Sequence, residues 1–298
     1  MNISLPKQVL QVRIPLQVDR LACHWLQDRG ELPSYESQLY SRMKYGDPVA
    51  TWRIADAVRE QLLEHPLWQV WSGHGQQVVM ASSAYGSVPT AAHWVSENLQ
   101  TMLEEEGLKV SRMKFERQGG FGCHSYSQMD LAKRREVLQE RRIWLDGPDL
   151  ETGTTLLVFD DLRSTGAHEE SLRKVVESHP EIDRVVFLYF IGFSAALSKS
   201  QPQQEDTLNH SLVRTAEDLV QLARNAPSPL LINARLVRFL LRAGSEDRDG
   251  FVALLPKFPP EFLRGVAQAA SSRDGYASQV AYAQGFDLLQ SFLTVVSP

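Results

Sequence analysis

Continuous apolar strands that alternate with amphipathic helices most limit what this chain can fold into. Leu156 to Phe159 is an unbroken apolar run, and Val185 to Phe193 extends over nine residues. Leu172, Val175 and Val176 mark a helix between these two runs. Strands that lack a polar face are buried on both sides, which is typical of parallel sheets joined by helical crossovers. We therefore predict an α/β protein built on a parallel sheet.

The first half of the chain repeats this alternation of short apolar runs and helical spacing. The predicted elements are an alternating segment from Leu10 to Leu16, helices at Val18 to Gln27 and from Pro48 to Leu63, a strand at Val78 to Ala81, a helix from Val88 to Leu103 and a strand around Val110 to Phe115. Trp68, Trp71 and Trp144 are assigned to the core rather than to a stacking surface.

The pattern changes near residue 200. Ser200 to Thr207 is polar, and the segments beyond it are helical without a convincing strand. These helices are predicted at Leu212 to Ala223, Leu230 to Leu241, Pro260 to Ala270 and Tyr276 to Leu293. We divide the chain into an α/β domain of residues 1–200, in which 1–47 form a lead or hood segment, and a helical C-terminal module of residues 201–298.

Composition narrows the class of protein. The 298 residues carry a formal charge of −5, which argues against a nucleic-acid partner held by a broad basic surface. The two cysteines, Cys23 and Cys123, form neither a metal-ligand spacing nor a disulfide framework, and they favour a reducing, cytoplasmic setting. The start of the chain lacks the pattern of a signal peptide, and no apolar run approaches the roughly 20 residues of a membrane span. We expect no membrane association.

A polar loop follows the apolar strand at Leu156 to Phe159 and precedes a helix. It contains Asp160 and Asp161, two variable positions, and then Ser164-Thr165-Gly166. A helix start presents unpaired backbone N–H groups and partial positive charge, which together bind phosphate. The hydroxyls add donors, and glycine lets the backbone approach closely. The paired carboxylates supply acceptors for vicinal ribose hydroxyls and for a hydrated Mg²⁺.

This loop resembles the signature of type I phosphoribosyltransferases, which use phosphoribosyl pyrophosphate and Mg²⁺ to attach ribose 5-phosphate to a nitrogenous acceptor. The resemblance implies that Asp160 and Asp161 bind the ribose hydroxyls and hold the metal through water. It also implies that a further set of residues wraps the 5′-phosphate, namely Arg163, Ser164, Thr165, Gly166, Ala167 and His168. The family usually has Thr or Ser at the position of His168, and seldom a large cation at that of Arg163.

A second segment strengthens the resemblance. After the strand at Val78 to Ala81 come Ala84-Tyr85-Gly86-Ser87-Val88-Pro89-Thr90-Ala91. This run is similar to the pyrophosphate-binding loop of orotate phosphoribosyltransferases, Ala-Tyr-Lys-Gly-Ile-Pro-x-Ala. The resemblance assigns pyrophosphate binding to Ala84, Tyr85, Gly86 and Ser87. Because the family's lysine is Gly86 here, this loop lacks one cation for the leaving group.

The family carries a mobile catalytic loop between these two segments. Here that position holds a glycine-rich stretch, residues 118–130, with His124, followed by a group of cations: Lys133, Arg134, Arg135, Arg141 and Arg142. The lysine–histidine–glycine type of loop found in orotate enzymes is absent, which argues against orotate as the acceptor. Arg42 and Lys44, in a segment resembling a less characterised bacterial branch, are candidates for the substrate side.

Each assignment has a structural alternative. The two loops could be ordinary strand–turn–helix connections, the cations a solvated helix face, and His124 and His168 residues without a chemical role. The leading hypothesis is a Mg²⁺-dependent phosphoribosyltransferase with a nucleobase-like acceptor, and a homodimer is a further expectation. A regulatory or structural protein that retains the pocket without turnover is the alternative, and an enzyme running the reverse or hydrolytic reaction is a third. The acceptor, the direction and the pathway stay open.

Overall fold

A computed structural model describes residues 15–27, 31–73, 75–118, 136, 142–201 and 203–296 of the chain. Its strands are β1 (Gln17–Leu26), β2 (Val78–Ser82), β3 (Val110–Arg112), β4 (Lys114–Gln118), β5 (Arg142–Asp146), β6 (Thr154–Arg163) and β7 (Ile182–Phe193). Its α-helices are α1 (Ser34–Lys44), α2 (Pro48–Leu63), α3 (Trp68–Gly73), α4 (Ala91–Glu105), α5 (Ala167–Val176), α6 (Ala195–Ser200), α7 (Gln204–Asn209), α8 (Ala216–Asn225), α9 (Ala234–Glu246), α10 (Arg248–Leu254), α11 (Pro260–Ala270) and α12 (Ala283–Val296).

The strands build a five-stranded parallel sheet in the order β1-β7-β6-β2-β3, and β4 pairs with β5 in a separate antiparallel ribbon. β6 and β7 lie in the middle, which explains why the sequence shows them as continuous apolar runs. The carboxyl ends of parallel strands meet at one edge of the sheet, where open α/β sheets bind ligands. β6 therefore delivers Asp160 and Asp161 to that edge.

Each face of the sheet carries its own hydrophobic core. On one face, alternate residues of β6 and β7 such as Leu157 and Leu188 pack with α1, α2 and α4. On the other face, Leu156 and Phe187 pack with α5 and the β4–β5 ribbon. This two-sided coverage holds the strand ends, and hence the loops that follow them, in fixed positions.

The helix predicted from Val18 to Gln27 is wrong, because these residues form β1. They pair in parallel with β7, from Gln17 opposite Arg184 to Leu26 opposite Phe193. Leucine, alanine and glutamine favour a helix locally, but pairing with an exposed sheet edge satisfies the whole backbone of the segment. The alternating segment from Leu10 to Leu16 lies almost entirely outside the described residues.

Other predicted elements match with shifted ends. The strand predicted at Leu156 to Phe159 runs from Thr154 to Arg163, so both aspartates belong to the strand. The predicted polar linker at Ser200 to Thr207 instead holds the end of α6 and most of α7. Trp71 is buried and Trp68 partly so, whereas Trp144 on β5 is 40% exposed and is not a core residue.

The helices α8 to α12 share one hydrophobic core, which also takes in Tyr45 and Val88 from the first half of the chain. We call residues 201–298 the helical part and the residues before them the sheet part. Backbone hydrogen bonds join it to the sheet part, from Leu231 N–H to Gly46 O at 2.8 Å and from Ala234 N–H to Pro89 O at 2.8 Å. α9 therefore begins directly against the segment that follows β2. No helix within the described part of the chain is both long and apolar enough to cross a membrane.

Candidate functional site

Residues 163–168, called the ribose-phosphate loop below, join β6 to α5. β6 ends at Arg163, and Gly166 adopts a φ of 77° and a ψ of 1° immediately before α5 begins at Ala167. A side chain would be strained in this left-handed conformation, so the turn requires glycine. Because the first-turn N–H groups of a helix lack intrahelical acceptors, α5 presents donors and partial positive charge at this loop.

Ser164 in this loop has a buried hydroxyl. The residue is only 5% exposed, and none of the described residues hydrogen-bonds its Oγ atom. A buried polar atom without a partner costs about 1–3 kcal/mol, so an oxygen-rich ligand at this position would relieve that cost. The loop backbone is already fixed, because Ser198 Oγ on α6 donates to the Ser164 carbonyl at 2.7 Å.

Glu169, in the first turn of α5, holds the loop in position through its hydrogen bonds. Its carboxylate accepts from Arg20 Nε at 2.8 Å, from Arg163 Nε at 2.8 Å and from the Tyr189 hydroxyl at 2.9 Å. Burial alone would raise the pKa of Glu169, but the two arginines outweigh burial and hold that pKa below its usual value. The Arg163 side chain, predicted to bind the 5′-phosphate, is thus engaged with Glu169 and keeps the loop in place.

The two aspartates at the end of β6 have different environments. Asp161 Oδ2 accepts from the Tyr40 hydroxyl at 2.9 Å and forms an ion pair with Lys44, both on α1. Burial favours a raised pKa for Asp161, but Lys44 and the Tyr40 hydroxyl outweigh it, so the pKa is lowered. Asp160 Oδ2 lies 3.0 Å from His168 Nδ1, and burial raises the pKa of Asp160 against the opposing effect of His168. Asp161 is therefore the more firmly ionised of the two.

The aspartates fit a hydrated Mg²⁺ better than a directly bound one. A metal needs carboxylate oxygens. Lys44 and Tyr40 engage Oδ2 of Asp161, whereas Asp160 has both oxygens engaged, Oδ2 by His168 and Oδ1 by the Asp161 N–H at 3.1 Å. Within the described residues, no cluster of three or more His, Cys, Asp or Glu side chains forms a metal cage. Mg²⁺ keeps several of its waters in proteins, and those waters can donate to the remaining lone pairs.

All nine residues from Asp160 to His168 line one cavity of about 250 Å³. Lys44 and Ala84 line it from the sheet part, and Arg235, Arg238 and Arg242 line it from α9 of the helical part. The cavity thus lies at the carboxyl edge of the sheet, with walls from both parts of the chain.

Residues 84–88, called the pyrophosphate loop below, follow β2. Of its predicted ligand residues only Ala84 lines the cavity. The Ser87 N–H donates to Asp274 Oδ1 at 3.0 Å, and the Val88 N–H donates to Asp274 Oδ2 at 2.8 Å. A Cβ atom at Gly86 would lie 2.1 Å from Asp274 Oδ1. A carboxylate of the helical part therefore occupies the loop donors, and glycine at 86 leaves room for it.

His93 on α4 supports the pyrophosphate loop through Tyr85. The Tyr85 hydroxyl lies 3.1 Å from His93 Nδ1, and Arg112 Nη2 lies 3.2 Å from the same atom. Burial, and then the charges of Arg112 and Lys114, lower the pKa of His93 to about 4. The ring is consequently neutral near neutral pH. Because the Arg112 guanidinium can only donate, Nδ1 is the unprotonated nitrogen and accepts.

The remaining predicted site residues fall into three groups. Lys44, a candidate for the substrate side, lines the cavity. Arg42 does not line it, because its guanidinium pairs with Asp47, the N-cap residue of α2, at 2.6 Å. His124, Lys133 and Arg134, together with nearly all of the glycine-rich stretch 118–130, lie outside the described residues.

Several residues of the site were missed from the sequence. Tyr40 and Glu169 reach it through tertiary contacts, and Asp274 acts on a loop 186 residues away. Only the arginines of α9 carried a sequence signal, because Arg235, Arg238 and Arg242 repeat at helical spacing beside an apolar face.

A family model described as PRTase ComF-like matches residues 18–289. The chain belongs to the ComF-like phosphoribosyltransferase family. The match includes the parallel sheet and most of the helical part, so the type I phosphoribosyltransferase family and the fold class predicted from the sequence are confirmed. Among curated proteins, none matches this ComF-like chain.

Solved hypoxanthine phosphoribosyltransferases match the ComF-like chain over part of its length. The enzyme from Staphylococcus aureus is 11% identical over 49% of this chain and 65% of its own, with a TM-score of 0.32. The enzyme from Trypanosoma cruzi, complexed with IMP, is 12% identical over 49% of this chain and 66% of its own, with a TM-score of 0.34. A hypoxanthine-guanine enzyme from Leishmania donovani is 12% identical over 49% of this chain and 70% of its own, with a TM-score of 0.34.

Proposed function

We propose that this protein binds phosphoribosyl pyrophosphate and transfers ribose 5-phosphate to a nitrogenous, nucleobase-like acceptor, with release of pyrophosphate. The observation that carries the proposal is the ribose-phosphate loop. Its buried Ser164 hydroxyl lacks a partner among the described residues, next to a helix start and two aspartates, in one cavity. A 5′-phosphate satisfies the loop donors, and ribose hydroxyls satisfy the carboxylates.

In this proposal each group at the end of β6 has a distinct task. Asp160 and Asp161 accept hydrogen bonds from the two ribose hydroxyls and thereby orient the sugar. Their negative charge also stabilises the positive charge that develops on the sugar when the C1–oxygen bond to pyrophosphate breaks. The acceptor nitrogen then bonds to C1, and its proton leaves to solvent. Lys44 and Tyr40 keep Asp161 ionised and in position.

Mg²⁺, held through water by the aspartates, would neutralise charge on the pyrophosphate group when bound. Ser164, Thr165 and the first N–H groups of α5 would hold the 5′-phosphate. Arg163 remains paired with Glu169 and stabilises the loop rather than binding the ligand. Ala84 touches the cavity, whereas Tyr85, Gly86 and Ser87 contribute to pyrophosphate binding only after Asp274 has moved.

The test is pyrophosphate release by the full-length chain with phosphoribosyl pyrophosphate, Mg²⁺ and a panel of nucleobases. Release that depends on one acceptor is the expected result. Asp160→Asn should abolish it, because an amide cannot replace a carboxylate as a charge-assisted acceptor and each such bond contributes about 1.5–3 kcal/mol. Glu177→Gln, at the exposed end of α5, is the matched control and should retain the wild-type rate. Lack of binding of both phosphoribosyl pyrophosphate and ribose 5-phosphate by calorimetry would refute the proposal.

A second candidate function is a ribose-phosphate-binding regulatory protein without turnover. It is favoured by Asp274, which fills the donors of the pyrophosphate loop, and by glycine at 86 in place of the family's lysine. The same assay separates the two functions. Tight binding of phosphoribosyl pyrophosphate with no pyrophosphate release for any base would support the regulatory protein.

We further propose a reducing, cytoplasmic setting and a role in nucleotide metabolism. In support of the setting, the chain has only two cysteines, and their spacing suits neither a disulfide framework nor a metal site. The homodimer stays a prediction.

A further inference from the structure

α9 turns a row of arginines toward the cavity that holds the ribose-phosphate loop. Arg235, Arg238 and Arg242 all line this cavity. Their spacing of three and then four residues places them in one stripe along the helix, spanning about 10 Å of its axis. The helical part thus adds a cationic wall to the cavity at the end of β6.

This wall places three guanidinium groups in a partly enclosed space, which two carboxylates of α7, Glu205 and Asp206, also line. Burial lowers the pKa of Arg238, and the charges of Arg235 and Arg242 lower it further, against the effect of two tyrosines. One of these, Tyr282, places its hydroxyl 3.5 Å from Arg242 Nη2. Neighbouring guanidinium groups repel each other, and a multiply charged oxyanion that accepts from all of them relieves the repulsion.

The pyrophosphate loop does not offer an equivalent site. Its Ser87 and Val88 N–H groups donate to Asp274, and position 86 has no side chain. The nearby Lys114 donates to the Gly86 carbonyl at 2.9 Å and to Glu116 at 2.7 Å, so it is committed to the loop itself. A cation that faces a leaving pyrophosphate must therefore come from another wall of the cavity.

The arginine wall is connected with the pyrophosphate-loop side of the site. Arg117, which also lines the cavity, donates its backbone N–H to the Tyr85 carbonyl at 3.1 Å. The charges of Arg238, Asp274 and Arg117 all act on the buried hydroxyl of Tyr276, whose pKa burial raises. Arg238 and Ala84 of the pyrophosphate loop line the same cavity, so the arginine wall and this loop border one space.

We infer that Arg235, Arg238 and Arg242 bind the diphosphate group of phosphoribosyl pyrophosphate, in place of the family's loop lysine. This inference rests on the proposed function and names the residues that receive its leaving group. When the C1–oxygen bond breaks, its electron pair stays on the diphosphate oxygen. The guanidinium groups stabilise that added charge through paired N–H donors.

The experiment compares the affinities of ribose 5-phosphate and phosphoribosyl pyrophosphate for the full-length protein, by calorimetry with Mg²⁺ present. The wild type should bind phosphoribosyl pyrophosphate more tightly. Arg238→Gln and Arg242→Gln should each weaken phosphoribosyl pyrophosphate roughly 10-fold to 100-fold, the equivalent of one charge-assisted hydrogen bond, and leave ribose 5-phosphate within about 2-fold. Arg238→Lys should restore part of the loss, because it keeps the charge.

Arg224→Gln is the matched control, because Arg224 is an exposed arginine of the helical part on α8. It should leave both affinities unchanged. Retained ribose 5-phosphate binding shows that each variant is folded. If both glutamine variants bind phosphoribosyl pyrophosphate like the wild type, the diphosphate assignment is overturned, and a raised KM for the acceptor would reassign the arginines to an acidic acceptor. A wild-type protein that binds neither sugar phosphate overturns the proposed function instead.

Discussion

The ribose-phosphate loop and the pyrophosphate loop share a local design and differ in what fills them. Each follows the carboxyl end of a parallel strand and precedes a helix, at adjacent strands β6 and β2. The ribose-phosphate loop holds the buried Ser164 hydroxyl, which no described residue satisfies. In the pyrophosphate loop, Asp274 accepts from two consecutive N–H groups.

The difference shows that an anion-binding loop can be satisfied by the chain itself. Strand, turn and helix start create donors in both loops, but only a distant carboxylate decides whether those donors are available to a ligand. At the ribose-phosphate loop, the neighbouring carboxylate of Glu169 instead accepts from Arg20, Arg163 and Tyr189. The two loops should therefore respond differently to mutation and to pH.

The largest expected effect is at Asp161. Asp161→Asn breaks a buried ion pair and leaves Lys44 with a buried charge, which costs about 3–5 kcal/mol. Asp160→Asn should cost little stability. Burial raises the pKa of Asp160 because a buried carboxylate charge is unfavourable, and a neutral amide avoids that cost. Urea unfolding measures both changes, and both variants should lose ribose 5-phosphate binding.

The two aspartates are adjacent in sequence, yet they are expected to contribute differently to stability. Glu177→Gln removes a surface ion pair with Arg173, 44% and 42% exposed, and provides the control. Such pairs contribute about 0–1 kcal/mol. Equal unfolding midpoints for Asp160→Asn and Asp161→Asn would show that the ion pair between Lys44 and Asp161 does not stabilise the fold.

A smaller effect is expected at Gly86. The methyl group of Gly86→Ala would displace Asp274 and break its two hydrogen bonds to the loop, which lowers the free energy of unfolding by about 1.5–3 kcal/mol. Replacing a glycine offsets part of this loss, because it restricts the unfolded chain. In an Asp274→Ala background the same substitution should cost nothing. A double-mutant cycle by urea unfolding measures this coupling.

Gly73→Ala is the matched control, because nothing lies within 4 Å of a Cβ atom at that position. It should be neutral or slightly stabilising. Additive costs of Gly86→Ala and Asp274→Ala would show that the carboxylate does not occupy the pyrophosphate loop in solution.

The smallest expected effect is the loss of stability at low pH that is linked to His93. Because the pKa of His93 is lowered to about 4, its stabilising effect is complete above the unfolded value near 6.5 and is lost as the pH falls through 4. We expect a loss of about 1–2 kcal/mol over this window, since His93 is partly in contact with water. His93→Gln can still accept from Tyr85 and Arg112, so it should flatten this part of the stability profile. An identical profile for wild type and variant between pH 7 and 4 would contradict the assignment.

How far the sequence could be interpreted depended on the range of the interactions. β6, β7 and α5 follow from apolar runs and helical spacing, because burial on both faces of a sheet leaves a local pattern. β1 was predicted as a helix, because its strand state depends on β7, more than 150 residues away. The exposed Trp144 shows the same limit, since composition does not reveal which side of a two-stranded ribbon meets solvent.

The sequence by itself determined the family and the parallel-sheet fold. It also predicted the ribose-phosphate loop, because the chemistry proposed for that loop lies in consecutive residues from Asp160 to His168. Only the tertiary structure decided what surrounds it. Lys44 and Tyr40 reach Asp161 from α1, the arginines of α9 reach the cavity from the helical part, and Asp274 reaches the pyrophosphate loop. Charges act through space, and the chain brings distant charges together only by packing its cores, so no local pattern records which of them meet.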